Sequence, residues 1–442
     1  MRQRGRHRRR RRGRALRAFL AGTALALTAA ATMISASQAT VTDEGPGALK
    51  PLSASGAERL SLTEETVPRS DLDRLAAGMG RPVGVSAVLA AADGRLRGAD
   101  GCAAAERRAL PVSPAATRAY CWNAGDTDGW QPGAVTTSGD ADDDGMWGSH
   151  RVILSGWSRS GGAAADRGLA RVAFVDADDL GRLSYTWVLL AVPVDGGRDY
   201  RGLVSHVSGM VWYQNKLLVT TDDGDTAALY VYDMNRVQRA TVTGEEVGRV
   251  AGGWSAHGYR FVLSAVGSYR LDDAADAARP TAVSLDRSTS PDSLVAGEWT
   301  LDGGDRTARL WRYPFSRAEG NSGLLAADTG GRVRVSQAYE TKLTGVRGVL
   351  SYGDAWYVSR AAEAGKLHGV LWRQTTASKD DARAARCGAA GSYDCWSPRT
   401  ESLSYWAETG EVWTQSGRVL FATPLASAER TAAQRPQKLA DQ

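Results

Sequence analysis

Residues 210–221 read MVWYQNKLLVTT, and residues 228–234 follow with ALYVYDM. Both are short runs of Val, Leu, Trp and Tyr without the three- and four-residue spacing of a helix, which reads as a pair of strands. The pairing recurs in both directions. RVILSGW begins at Arg151 and is followed by LARVAFVDA at 169; FVLSAVGSYRL begins at Phe261. GVLSYGDAWYVSR begins at Gly348 and is followed by GVLWRQ at 369, and SLSYWAETGEVWTQ begins at Ser402 and is followed by RVLFATPL at 418. A further pair, SLVAGEWT and ARLWRYPF, fills the wider gap between Phe261 and Gly348. Paired aromatic strands at a long period predict an all-β fold, a β-propeller of five or six blades. A β-sandwich would turn every 8–12 residues or so without that higher repetition.

The aromatic residues also mark a boundary. All 14 tryptophans lie between Trp122 and Trp413, all 14 tyrosines lie at or after Tyr120, and residues 40–118 contain no aromatic at all. Little large apolar surface is then available to bury. This predicts a linker or loosely docked, mostly unstructured arm over 40–118, a propeller domain over 119–426 and a C-terminal tail over 427–442. Within the arm, SDLDRLAAGMG reads as one short helix capped by Ser70.

The chain opens with an arginine run, an apolar stretch from Ala18 to Ile34 and the small residues Ser37-Gln38-Ala39. This is the order of a secretory signal peptide, residues 1–39. Removing them takes away 10 arginines and no acidic residue, leaving 54 − 10 = 44 basic against 49 acidic side chains. The basic pI of the whole chain therefore belongs to the export signal, and a mature charge near −5 gives no footprint for nucleic acid. No later apolar run spans a bilayer, so the expected product is secreted, free of the membrane after cleavage, and monomeric.

The four cysteines, Cys102, Cys121, Cys387 and Cys395, suit an oxidising compartment and allow three connectivities. The local choice, 102 with 121 and 387 with 395, closes two short loops; a staple between the two pairs is the alternative. Their spacing matches no zinc pattern.

The ordered motifs CWNAGDTDGWQPGAVTT, DADDDGMWGSHRVILSGW and VSHVSGMVWYQNKLLVTT resemble a group of uncharacterised secreted β-propeller-like proteins of actinomycetes, over about residues 118–425. The resemblance implies a secreted propeller and brings no enzymatic activity. The chain departs from that pattern in its opening strand, where Gln131-Pro132-Gly133 stands in place of Pro-Gln-Gly.

Two groups of side chains have ligand character. Asp140, Asp142 and Asp144, followed by Gly145, match the first half of an EF-hand-type calcium loop, but the twelfth position holds Arg151 where a bidentate glutamate belongs. An acidic turn between strands is the plainer reading, with calcium the one cofactor it raises. His150, His206 and His257 recur at intervals of 56 and 51 residues, near the repeat length, so equivalent positions could converge on an axis and hold a transition metal. Strand-entry histidines bonded to nearby backbone are the alternative.

Hydrolase, phosphate-loop and dinucleotide motifs are absent. Ser255 and His257 stand two apart on an extended segment, which does not make a nucleophile and base. The expectation is a non-catalytic propeller that binds an extracellular or cell-envelope ligand, glycan or protein, through its abundant Trp and Tyr. The alternative is an extracellular enzyme, a carbohydrate-active hydrolase or lyase or a metal-dependent oxidase on the axis.

Overall fold

In the computed structural model, Met210–Tyr213 and Lys216–Thr220 pair as an antiparallel hairpin, Met210 opposite Val219 and Tyr213 opposite Lys216. The turn residue Gln214 has φ 51°. That left-handed conformation is held by its amide on the carbonyl of Ala141, 2.9 Å away. Met210, Val211, Trp212 and Tyr213 are all buried, so the run is apolar throughout instead of alternating. The structure describes residues 45–161, 167–222, 227–271, 278–300, 307–376, 382–389 and 391–433.

The strands form five antiparallel four-stranded meanders among the described residues. The first runs Trp130–Thr137, Val152–Arg159, Ala170–Asp176 and Ser184–Val194; the second, Met210–Tyr213, Lys216–Thr220, Ala227–Asp233 and Phe261–Leu271. The third holds Ala282–Asp286, Ser293–Gly297, Ala308–Pro314 and Gln337–Thr341; the fourth, Val346–Tyr352, Ala355–Arg360, Val370–Gln374 and Arg383–Ala384. In the fifth, Ser404–Trp406, Glu411–Ser416 and Val419–Pro424 are completed by Arg118–Cys121, a strand from nearly 300 residues earlier.

Two features depart from simple meanders. Phe261–Ser264 also runs parallel to Val188–Ala191, which joins the first and second meanders into one eight-strand path. The end strands of that path lie side by side, the amide of Trp212 donating to the hydroxyl of Thr136 at 3.0 Å, so the sheet is nearly closed and barrel-like. In the opening strand the register shifts between Pro132 and Val135. A side chain at Gly133 would stand 1.7 Å from the carbonyl oxygen of Val207, so the bulge brings two backbones together where only glycine fits.

The core is aromatic and lies between the sheets. Trp122, Trp157, Trp187 and Tyr185 pack edge to face or stacked, with centroids 4.9–6.0 Å apart. Beside them the Arg171 guanidinium lies between Trp130 and Trp187, 3.7 and 3.6 Å from the two ring centroids. Only 3 % of Arg171 is exposed, and burial pushes its pKa down to about 10.

The reading of 40–118 as a mostly unstructured arm is corrected over residues 46–118. The described residues from Pro46 onward belong to one compact unit. Leu62–Thr66 adds as an antiparallel strand to Gly267–Leu271, and Lys50–Pro51 adds to the third meander. The expected helix spans Arg69–Met79, but Pro68 precedes it as its N-cap and Ser70 lies within the first turn. It ends at Gly80, φ 96°, and the carbonyl of Gly78 accepts the indole N–H of Trp254 at 3.0 Å. Leu60, Leu62, Leu75, Val85, Val88 and Leu89 are all buried, so aliphatic side chains anchor the segment without aromatics, each contributing on the order of 1.5–3 kcal/mol.

The domain end is corrected too. Residues 425–433 form a helix in which Leu425 and Ala428 are buried, and Glu429 accepts a hydrogen bond from Tyr357 at 3.0 Å, so no tail begins at 427. The predicted signal peptide lies outside the described residues. Both expected local disulfides are present, Cys102–Cys121 and Cys387–Cys395. No helix among the described residues is long and apolar enough to cross a membrane.

Candidate functional site

Each meander is entered by a short irregular segment, and three of these segments meet. His206 lies ahead of Met210–Tyr213, Arg347 at the bulged start of Val346–Tyr352 and Glu401 ahead of Ser404–Trp406. Glu401 bridges the other two: Oε2 lies 2.9 Å from His206 Nε2, and Oε1 accepts from Arg347 Nη1 at 3.2 Å. His206 is fixed from behind as well. Its amide donates to Asp222 Oδ2 at 3.0 Å, and the amide of Asp222 donates to Ser205 Oγ at 2.8 Å. The next residue, Val207, is tied to the first meander through Ser158 Oγ and the Ala134 amide, beside the Gly133 bulge.

This group borders two connected hollows. One, of about 260 Å³, is walled by Thr221, Arg279 and Trp299 together with His206, Arg347 and Glu401. The other is a broad groove of about 960 Å³ that shares the same three residues and runs past Arg108, Arg399 and the 361–367 turn. Trp299 is 42 % exposed, whereas eight other tryptophans are fully buried.

The electrostatics follow from the bridge. Burial disfavours the charged imidazole of His206, but the hydrogen bond and negative charge of Glu401 outweigh it, so its pKa is raised. The buried Nδ1 of His206 has no hydrogen-bond partner among the described residues. The arrangement can therefore present cationic donors and a flat indole face to a ligand, with one carboxylate already neutralised by its neighbours.

The other residues singled out from sequence are placed elsewhere. His150 Nδ1 is 2.8 Å from Asp178 Oδ2, and His257 Nδ1 is 2.8 Å from the carbonyl of Glu245. His150, His206 and His257 thus do not converge; equal spacing brought them to separate strand entries with separate partners. Among the described residues the one gathering of metal-type ligands is Cys102, Cys121 and Glu106, and those cysteines are bonded to each other.

Asp140, Asp142 and Asp144 do not share a ligand sphere either. Asp140 is buried in the short helix Ser138–Ala141, and its Oδ2 accepts from Thr136 and Ser404, each at 2.7 Å. Burial pushes its pKa up to about 6 against those hydrogen bonds. Asp142 and Asp144 instead accept from nearby amides, those of Asp143 and Met146. Arg151, which occupies the twelfth loop position, pairs with Glu408 at 2.7 Å.

Arg347, Glu401 and Trp299 went unnoticed in the sequence because they come from separate meanders and share no spacing. His206 was singled out, but as a metal ligand.

No family model matches the chain, and no curated protein does. Among solved structures, the extracellular domain of a protein described as a one component system of B. thetaiotaomicron is similar over 81 % of this chain, with 9 % identity and a TM-score of 0.28. The chain spans less than half of that structure, 44 % of its length.

Proposed function

We propose that this chain is a secreted, monomeric, five-bladed β-propeller that binds an extracellular or cell-envelope ligand, glycan or protein, at the His206–Arg347–Glu401 cleft. Each four-stranded meander is one blade, and Arg118–Cys121 closes the ring by completing the last. Contacts at the first strands and the connection after one of them support this, because the Trp212 amide bonds to Thr136 and Ser404 bonds to Asp140 across neighbouring meanders. Secretion is supported by the Arg-rich opening, the apolar stretch that follows it and the two disulfides.

The observation that carries the binding reading is the cleft itself. Charged side chains from three strand entries converge there beside an exposed tryptophan, the usual makeup of a ligand site at the mouth of a ring of strands. The test is capture of the secreted protein on cell-wall fragments and envelope proteins, comparing wild type with Trp299→Ala and Arg347→Ala. Loss of capture in both variants supports the reading, and unchanged capture overturns it. The N-terminus of the secreted material is expected near Thr40.

A catalytic reading, as a carbohydrate-active hydrolase or lyase, has one observation in its favour. His206 and Glu401 form an acid–base pair 2.9 Å apart on the cleft wall. Arg347 occupies the other oxygen of that carboxylate, which favours a fixed ion bridge over a proton-transferring group. Release of reducing ends from envelope polysaccharide, abolished in Glu401→Gln, would establish the enzyme.

A further inference from the structure

The ligand class can be narrowed from the charges of the groove and the aromatic face of the adjoining cleft, an inference that rests on the binding reading above. Trp299 is the most exposed tryptophan among the described residues, and it stands on the cleft. An indole face of that kind complements the C–H face of a sugar ring. The groove that continues from it is lined by Arg108 and Arg399, both exposed, and among the described residues neither has a carboxylate partner. The acidic groups there are already engaged, Glu401 by His206 and Arg347, and Glu363 by Arg360 at 2.8 Å. The groove therefore has spare positive charge although the mature chain is expected to be acidic.

Its shape points the same way. At about 960 Å³ it stands at the upper end of small-ligand sites, with volume for more than one linked unit. Its lining includes Ala105, Ala109, Ala361, Ala362 and Ala364 and no Phe, Tyr or Trp, which gives it little to hold the large anchor side chain of a peptide.

We propose that the groove binds an acidic polysaccharide, with one ring stacked on Trp299 and carboxylate or sulfate groups of successive units paired to Arg347, Arg399 and Arg108. Arginine suits this role because its planar fork meets such anions two oxygens at a time.

Calorimetry on the full secreted chain tests it with four probes: polygalacturonate, dextran sulfate, neutral dextran and poly-glutamate. At least one acidic polysaccharide is expected to bind ten-fold or more tightly than dextran, and to weaken as salt is raised. Trp299→Ala and the double variant Arg108→Ala/Arg399→Ala should each cost at least ten-fold, with thermal melting unchanged because all three side chains are exposed. Dextran bound as tightly as the acidic polymers, and lost in Trp299→Ala, would overturn the acidic ligand and leave the binding cleft standing. Poly-glutamate bound equally well and indifferent to Trp299→Ala would overturn the glycan. Failure of every probe, together with capture unchanged by Arg347→Ala, would overturn the proposal and the cleft alike.

Discussion

Asp140 and Ser404 are joined by a 2.7 Å hydrogen bond that crosses from the connection after the first strand of the first meander to the first strand of the fifth. Thr136 donates to the same oxygen and accepts the amide of Trp212 from the second meander, while Arg287, which follows the first strand of the third, donates to the Asp140 carbonyl at 2.8 Å. Asp140, through its carboxyl and its main-chain carbonyl, and its partner Thr136 thus tie four meanders at a single point.

That position has a pH signature. Burial raises the Asp140 pKa from 3.8 to about 6, so the folded state holds a proton between those values that the unfolded chain releases. Stability should therefore fall as pH rises from about 4 to 6, by up to about 3 kcal/mol from this group. Urea unfolding at several pH values checks it. In Asp140→Asn that part of the slope should vanish; an unchanged slope would assign it to other groups.

His206 should give the opposite partner dependence. Its pKa is raised in the fold, so the bridge to Glu401 stabilises fully below the unfolded value near 6.5 and is lost as pH rises through the folded value. Glu401→Gln should consequently cost more stability at pH 5.5 than at pH 8.5. By NMR the His206 ring should titrate lower in that variant, because burial then acts without the compensating charge.

Arg171 makes a conservative replacement costly. Lysine keeps the charge but cannot place a planar cation between Trp130 and Trp187, so Arg171→Lys should destabilise by about 2 kcal/mol or more, measured by urea midpoint. A cost below about 0.5 kcal/mol would mean that charge alone matters there.

The two disulfides should differ in worth. Cys102–Cys121 spans 19 residues and pins the closing strand, whereas Cys387–Cys395 spans 8. Replacing the first pair by serine should cost about 3 kcal/mol and the second less, because the longer loop gives up more freedom on closure.

Calcium should leave the melting temperature unchanged to within about a degree. Asp140 is satisfied by two hydroxyls, and Asp142 and Asp144 serve their own turn. A rise of several degrees, lost in Asp142→Ala, would show that the turn rearranges around an ion.

Much of the strand content was legible because it is written in local composition. MVWY and KLLVT are buried on both faces and stand out through contiguous apolar residues, while ARLWRYP and EVWTQS stand out through their aromatic and branched side chains. Strands with more polar sequences were missed: Ala282–Asp286, AVSLD, and Gln337–Thr341, QAYET, carry too few large apolar residues to be conspicuous. Phe261–Leu271 was read as the opening of a unit although it is the last strand of one, since sequence period gives spacing without phase. The arm was misread because the absence of aromatics was taken for the absence of a core. Of the cleft, only His206 was visible, as Arg347, Glu401 and Trp299 are neighbours through closure of the fold alone.

The strand Arg118–Cys121, paired on one edge with Arg97–Gly98, takes on its other edge three strands that lie some 300 residues later in the chain. A growing chain presents this strand early, and the edge opposite Arg97–Gly98 stays unpaired until Val419–Pro424 arrives some 300 residues later. Such a fold cannot mature by stepwise addition of finished units. Its final cooperative closure awaits release of the whole chain, and a product truncated before Val419 leaves two open edges exposed to aggregation.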